Sequence, residues 1–113
     1  MTIKDLTIHN ELVLLNDNID LSTPISNFYS CDLLSWILGN LHQDNYCLIT
    51  IIDNLNVIAV AKLKKVSCII FSCGVNPSKE VISKATDENI AIFKTSLSSF
   101  DIAKVICSNE SLL

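Results

Sequence analysis

Short apolar runs separated by polar turns recur along the chain and predict alternating strands and helices. The first compact run, Leu12 to Leu15, is followed directly by polar residues and is interpreted as a strand. Thr2 and Asp5 have the spacing of a capping box, although aspartate replaces the usual glutamate or glutamine, and they indicate a short helix before that strand.

The next segment, residues 21–30, is rich in serine and threonine and is interrupted by Pro24. It is therefore either a loop or a short strand around residues 25–29. Asp32 is a suitable cap for a helix over residues 32–40. The apolar positions of that helix have helical spacing: Leu33, Leu34, Ile37, Leu38 and Leu41.

Residues 46–52 form an uninterrupted run of strand-favouring residues, which is typical of a parallel strand covered on both faces. Asn54 or Asn56 is the predicted start of a helix through residues 57–61, which are apolar on nearly every side. Lysines follow at its carboxyl end, where cations favour the helix dipole: Lys62, Lys64 and Lys65. This helix is expected to be buried or to lie in an interface.

Two further strand–helix units complete the pattern. A strand over residues 67–72 leads into a helix with Asn76 as the predicted N-cap and Pro77 at the favoured first position. Residues 90–93 are the following strand, and a last helix is expected to begin after Ser98.

Three successive strand–helix units predict a parallel or mostly parallel sheet with right-handed crossovers and helices on both faces, an α/β fold. Half of the 113 residues are hydrophobic and 18% are charged, which indicates a folded chain. Because the sequence contains neither a repeat nor a low-complexity tract, all of residues 1–113 are assigned to one small domain.

The charged residues argue against nucleic acid as a partner. Eight lysines, no arginines and twelve acids give a net charge of −4, and arginine is the residue that most often reads guanine and phosphate. No apolar stretch approaches the roughly 20 residues that span a bilayer, so no membrane segment is expected. An acid at position five and the absence of an apolar leader predict a cytoplasmic location.

The cysteines and histidines indicate neither a metal site nor a catalytic set. Five cysteines stand at wide spacings without a CxxC pair, so they are interpreted as reduced, mostly buried thiols: Cys31, Cys47, Cys68, Cys73 and Cys107. His9 and His42 have no recognisable partner in the sequence. No cofactor, metal or catalytic residue is therefore predicted, and the chain is not expected to be an enzyme.

Ligands of an open parallel sheet bind outside the carboxyl ends of its strands. The candidate ligand-binding residues at those ends are Thr50, Asp53, Gly74, Asn76, Thr95 and Ser96. The turn from Gly74 to Pro77 offers backbone amides that would suit a phosphate or carboxylate. The alternative is an ordinary turn, in which Asn76 caps the helix and Gly74 supplies a special dihedral.

A second set of candidates concerns self-association. The mean hydropathy of +0.44 and the apolar helix suggest more apolar surface than so small a monomer covers, which predicts a homodimer. The candidate interface residues are Trp36, Val57, Ile58 and Val60. For Trp36, a place in the core or at a dimer interface is weighed against stacking on a ligand.

Four segments between Asp32 and Cys107 share residues and spacing with a known family. They are D-L-L-S at 32–35, Thr50 with N-V-I-A-V-A-K-L at 56–63, G-V-N-P-S-K-E-V at 74–81, and T-S-L-S-S-F-D-I-A at 95–103. In this order they resemble S-D-L-L-S, W-I-T with N-I-V-A-V-A-x-L, G-x-x-P-x-x-E-V, and S-T-x-x-S-x-F-E-I-A of the DRTGG domain. The five-residue signature itself is missing, because Ser22 to Phe28 stand in its place.

The resemblance implies an accessory α/β module that does not catalyse by itself and tends to pair as a homodimer. Such domains accompany HPr kinases, phosphotransacetylases and CBS-containing pyrophosphatases, and also occur alone. We therefore expect a regulatory or binding module that recognises a partner protein or a small anionic ligand such as an adenine nucleotide. The alternatives are a purely structural protein-interaction module and a small phosphate-handling enzyme.

Overall fold

The computed structural model describes residues 1–108, in which one five-stranded sheet separates two layers of helices. The strands are β1 (Val13–Leu14), β2 (Asn27–Ser30), β3 (Tyr46–Thr50), β4 (Cys68–Phe71) and β5 (Ala91–Lys94). Their order across the sheet is β1-β5-β4-β3-β2, with β1 antiparallel to β5 and all other neighbours parallel. The predicted α/β fold with a mostly parallel sheet is confirmed.

Strands β3 and β4 are central, as the unbroken apolar run in β3 predicts. Their side chains alternate between two separate apolar clusters, so that Leu48 and Ile69 belong to one cluster and Ile49 and Ile70 to the other. All four side chains are at most 2% exposed. A strand buried on both faces has no polar face to show in the sequence, which explains the missing alternation.

The five helices are α1 (Ile3–Leu6), α2 (Leu34–Asn40), α3 (Leu55–Leu63), α4 (Lys79–Asp87) and α5 (Ser99–Cys107). Helices α2, α3 and α4 contribute to the cluster on one face of the sheet, and α1 and α5 to the cluster on the other. Helices on both faces were predicted and are confirmed. Within residues 1–108 no helix has the length and apolar character needed to cross a membrane.

The stretch at the place of the missing signature leads into β2, which resolves the choice between loop and strand in favour of a strand. Ile25 is buried, and its N–H donates to the Met1 carbonyl at 2.9 Å. The Ser26 N–H donates to the Asn45 carbonyl at 2.8 Å, just before the pairing of β2 with β3 begins. The strand therefore depends on partners distant in sequence.

The helix starts agree with the sequence prediction at α3 and α5. Asn54 caps α3, because its side chain accepts a hydrogen bond from the Asn56 N–H at 2.9 Å. Ser98 caps α5 by accepting from the Asp101 N–H at 3.1 Å. Both helices follow a parallel strand directly, so the caps also fix where the chain turns back over the sheet.

Two predicted caps are wrong. Helix α4 begins at Lys79, and its cap is Ser78, whose hydroxyl accepts from the Val81 N–H at 3.2 Å; Asn76 is not the cap. Asp32 does not cap α2, whose N-cap position is Leu33 and carries no side-chain cap. In both places the polar side chain has another partner, described below.

Candidate functional site

Two threonines close the carboxyl ends of β3 and β5 in the same way. The Thr50 hydroxyl accepts a hydrogen bond from the Ile52 N–H, and the Thr95 hydroxyl accepts one from the Leu97 N–H, both at 3.2 Å. Each side chain thus turns the chain away from the sheet by satisfying an amide two residues later. Both threonines are buried, with exposures of 0% and 3%.

The Thr50 hydroxyl also donates a hydrogen bond to the Asp32 Oδ1 atom, with the two oxygens 2.8 Å apart. The hydroxyl therefore has a donor and an acceptor partner within the protein. Both hydrogen bonds hold the sheet edge together, and the role of Thr50 in ligand binding stays a prediction.

The loop after β4 has an unusual backbone. Cys73 and Gly74 have φ values of +60° and +74°, so two successive residues are left-handed. Their N–H groups donate to the carbonyls of Leu97 at 2.7 Å and Thr95 at 2.9 Å. The special dihedral predicted for Gly74 is confirmed.

Most amides of this loop are hydrogen-bonded within the protein. The N–H groups of Cys73 and Gly74 bind the loop after β5, and the Val75 N–H donates to the Ser72 carbonyl at 3.2 Å. In addition, α4 begins only at Lys79, beyond the turn. Two of the three amides between Gly74 and Pro77 are therefore already hydrogen-bonded and the turn lies before the helix start, so anion binding by this turn stays a prediction.

At the carboxyl edge of the sheet, side chains rather than backbone amides supply the polar groups that could contact a ligand. A groove of about 360 Å³ is lined by Asn10, Glu11, Val13, Gly74, Asn76, Lys94, Thr95 and Ser96. Four of the six predicted ligand-binding residues thus lie together. We call this the Lys94 groove, because the Lys94 ammonium is its cation and is held 3.2 Å from the Asn76 Oδ1 atom.

Lys94 is the residue that sequence reasoning missed. It is the last residue of β5 and pairs in register with Val13 of the antiparallel edge strand. In the sequence, a lysine at the end of an apolar strand indicates only that the strand ends in solvent. The groove around Lys94 forms only because β1 pairs with β5. No residue near Lys94 in the sequence indicates that pairing.

Asp53 lies in a different depression. A space of about 440 Å³ is lined by Asp53, Asn54, Leu55, Asn56, Ser78, Glu80 and Val81, at the beginnings of α3 and α4. Two carboxylates make this space acidic, in contrast to the Lys94 groove. The structure thus separates Asp53 from Gly74, Asn76, Thr95 and Ser96.

The predicted interface residues divide between core and surface. Val57 and Ile58 are 0% and 1% exposed and pack against the sheet, so they are corrected from interface to core. Val60 is half-buried, whereas Trp36 is 55% exposed. The Trp36 Nε1–H donates to the Tyr29 hydroxyl at 2.7 Å, which holds the indole beside β2.

The thiols also divide between core and surface. Cys47 and Cys68 are buried partners in register on β3 and β4, while Cys73 and Cys107 are exposed. Burial raises the pKa of the Cys47 thiol well above its ordinary value, and the neighbouring Cys68 adds to that effect. In residues 1–108 no group of three or more histidines, cysteines or acids is placed to hold a metal ion.

Comparison with known proteins places this arrangement in a family. The model of the DRTGG domain matches residues 13–108. The chain is also similar to the crystal structure of the CBS and DRTGG domains of the regulatory region of Clostridium perfringens pyrophosphatase, complexed with its activator, diadenosine tetraphosphate. Sequence identity is 26% and the TM-score is 0.57.

That alignment covers 68% of this chain and 33% of the pyrophosphatase chain, so the protein spans about a third of its structural relative. No curated protein matches the chain. The resemblance found in four sequence segments is confirmed, and the family match extends it to include β1 and β2.

Proposed function

The chain belongs to the DRTGG domain family, and from this we propose that it is a cytoplasmic, non-catalytic regulatory module. In this proposal it pairs as a homodimer and recognises a small anionic ligand, such as an adenine nucleotide, or a partner protein. The observation that carries the ligand-binding role is the position of the Lys94 ammonium in a groove at the carboxyl edge of the sheet. This edge is where ligands of open α/β sheets bind.

The lining of the Lys94 groove favours a nucleotide over a simple inorganic anion. Lys94 and Ser96 offer donors to phosphate oxygens, whereas Glu11 offers an acceptor to amino or hydroxyl groups. A ligand that carries both anionic and donor groups uses both sides of the groove. Its volume of about 360 Å³ lies within the usual range for small-molecule sites.

Thermal unfolding in the presence of nucleotides tests this role. We expect diadenosine tetraphosphate or ATP to raise the Tm in a concentration-dependent way, since a ligand of the native state stabilises by mass action. Lys94→Gln is expected to abolish most of the shift. Lys104→Gln, which removes an exposed lysine on α5, is the matched control and should retain it.

Two outcomes would contradict the ligand-binding role. The first is no shift with any of these nucleotides at millimolar concentration. The second is an equal loss in the Lys94 and Lys104 variants, because that result would reflect overall charge rather than this groove.

The homodimer has its best candidate surface on and before α2. Leu33, Trp36 and Leu38 are 58%, 55% and 44% exposed, an unusual concentration of apolar side chains. Tryptophan is the residue type most enriched at interface centres. We expect sedimentation velocity to show a dimer that Trp36→Lys converts to a monomer, while Phe100→Lys on α5 leaves it intact; a wild-type monomer at micromolar concentration would contradict this.

The same exposed side chains favour a purely structural interaction module as the second candidate function. That module would bind a protein through α2 and have no small ligand. The nucleotide experiment separates the two: loss of the Tm shift in Lys94→Gln supports a ligand-binding module, and absence of any shift supports the structural one.

A further inference from the structure

Helix α3 carries apolar side chains on its outer surface as well as on the surface that faces the sheet. Leu55, Ala59 and Leu63 follow one another at intervals of four residues, and all three are exposed, the leucines to 40% and 70%. Such spacing produces one continuous stripe along the helix. An exposed stripe of this kind is typical of a binding surface.

The stripe forms one side of a groove between α3 and α4 with a volume of about 760 Å³. We call it the α3–α4 groove; it is lined by Leu55, Asn56, Ile58, Ala59, Lys62, Leu63, Glu80, Ser83, Lys84, Asp87 and Glu88. The apolar residues come from α3 and the charged residues mainly from α4. No lining residue is shared with the Lys94 groove.

The charges along α4 indicate what the groove accepts. The lining holds three carboxylates and two lysines, a net charge of −1, and both lysines pair with the same carboxylate, Glu88, at 3.2 Å for Lys62 and 3.5 Å for Lys84. Within residues 1–108, Glu80 and Asp87 form no ion pair. They stand seven residues apart on α4, about 10.5 Å along the helix axis.

The acidic character continues beyond one end of the groove. The depression that contains Asp53 shares Leu55, Asn56 and Glu80 with it, so Asp53 and Glu80 lie at the same end. The groove therefore combines an apolar stripe with a small excess of carboxylates, which is greatest at the end that contains Glu80 and Asp53. An occupant that matches it has an apolar face flanked by cations.

We propose that the α3–α4 groove docks a basic amphipathic helix of a partner protein. The stripe of α3 is about 12 Å long, the length of just over two helical turns. A third helix laid along this stripe buries apolar residues spaced three and four apart, as in helix-in-groove recognition. Its lysines or arginines, seven residues apart, face Glu80 and Asp87.

This inference deepens the proposed function, because it rests on the part that assigns a partner protein and specifies the chemistry of that partner. It does not involve nucleotide binding. Variants of the α3–α4 groove should leave the nucleotide-induced Tm shift intact, whereas Lys94→Gln should leave helix docking intact. Failure of either proposal is thus distinguishable from failure of the other.

The test uses two synthetic helical peptides and the full chain. Both peptides carry three leucines on one face; one has arginines seven residues apart on the flank, and the other has glutamates there. Fluorescence anisotropy is expected to show about tenfold tighter binding of the arginine peptide, since two partly exposed charge contacts differ in sign. Leu63→Glu should abolish binding, and Phe100→Glu, which changes an exposed side chain of α5, should leave it unchanged.

A charge exchange makes the test specific. The variant with Glu80→Lys and Asp87→Lys is expected to prefer the glutamate peptide, and far-ultraviolet circular dichroism checks that it remains folded. Equal binding of both peptides by the wild type, or no binding of either at millimolar concentration, overturns the proposal. So does a wild-type dimer that Leu63→Glu converts to a monomer, because the occupant would then be a second copy of this chain.

Discussion

Asp32 joins the ends of β2 and β3, because its Oδ1 atom accepts hydrogen bonds from the Thr50 hydroxyl and the Ile51 N–H, both at 2.8 Å. Thr50 is fully buried. A carboxylate that accepts two bonds at the end of a parallel pair fixes the geometry of the strand ends. It also explains why Asp32 is unavailable as a helix cap.

We predict that Asp32→Ala lowers the free energy of unfolding by about 1–3 kcal/mol, because it leaves a buried hydroxyl without its acceptor. Asp32→Asn retains an oxygen at this position and should lose less. Urea unfolding of the two variants beside the wild type measures the difference. Equal losses for alanine and asparagine would show that these hydrogen bonds are not what stabilises the edge.

Gly74 offers a test of backbone strain without steric conflict. A Cβ atom built on this residue meets no atom within 4 Å, yet its φ is +74°. Gly74→Ala is therefore expected to cost about 1–2 kcal/mol from the left-handed backbone alone. Chemical denaturation measures that cost.

Gly39 is the matched control, because it lies in α2 and a Cβ there also meets nothing within 4 Å. Gly39→Ala should stabilise the protein by about 0.5–1 kcal/mol, since alanine is favoured over glycine inside helices. A neutral effect of alanine at both positions would contradict this explanation.

The sequence predicts the elements whose formation depends on local residues. The buried run in β3 and the caps at Asn54 and Ser98 have signals within a few neighbouring positions. The start of α4 has no such local signal. Asn76 and Ser78 are both good caps, and the choice between them follows from the Cys73–Gly74 loop, which is held by carbonyls of the loop after β5.

In the candidate site, too, some features follow from the sequence and others depend on packing between distant segments. The carboxyl edge was predictable because parallel strands end at the same edge of a sheet, and Gly74, Asn76, Thr95 and Ser96 do lie together there. The place of Lys94 in this site was not predictable, because its groove depends on the antiparallel pairing of β1 with β5. Helix α3 is apolar on several sides, so only its packing shows that Val57 and Ile58 face inward.

Glu88 is predicted to make stability depend on pH in the acidic range. The hydrogen bond from Lys62, opposed by burial and aided by Lys84, lowers the pKa of Glu88 below its ordinary value of 4.5. A carboxyl whose folded pKa is lower than its unfolded pKa stabilises the protein above the unfolded value. That stabilisation is lost as the pH falls through the folded pKa.

Urea midpoints measured from pH 7 down to pH 3 check this dependence. Glu88→Gln should flatten the decline in the acidic range relative to the wild type. Glu80→Gln is the control, because the Glu80 carboxylate forms no ion pair within the described part of the chain. The pH profile of this variant should be nearly parallel to that of the wild type. Parallel profiles for both variants would refute the role of the Lys62 contact.

The five thiols should react in three classes. Cys73 and Cys107 are exposed and Cys31 is half-buried, so the first two are expected to react quickly with Ellman's reagent and the third more slowly. Cys47 and Cys68 are buried, and the raised pKa of Cys47 disfavours the reactive thiolate. We therefore expect both to react only after unfolding in denaturant.

Single serine variants assign the classes. Cys73→Ser and Cys107→Ser should each remove one equivalent from the fast phase, while Cys68→Ser should leave the native fast phase unchanged. If Cys47 were labelled in the native state as quickly as Cys73, the centre of the sheet would have to open on the timescale of the reaction. Mass spectrometry of the labelled peptides distinguishes that result from slow reaction through global unfolding.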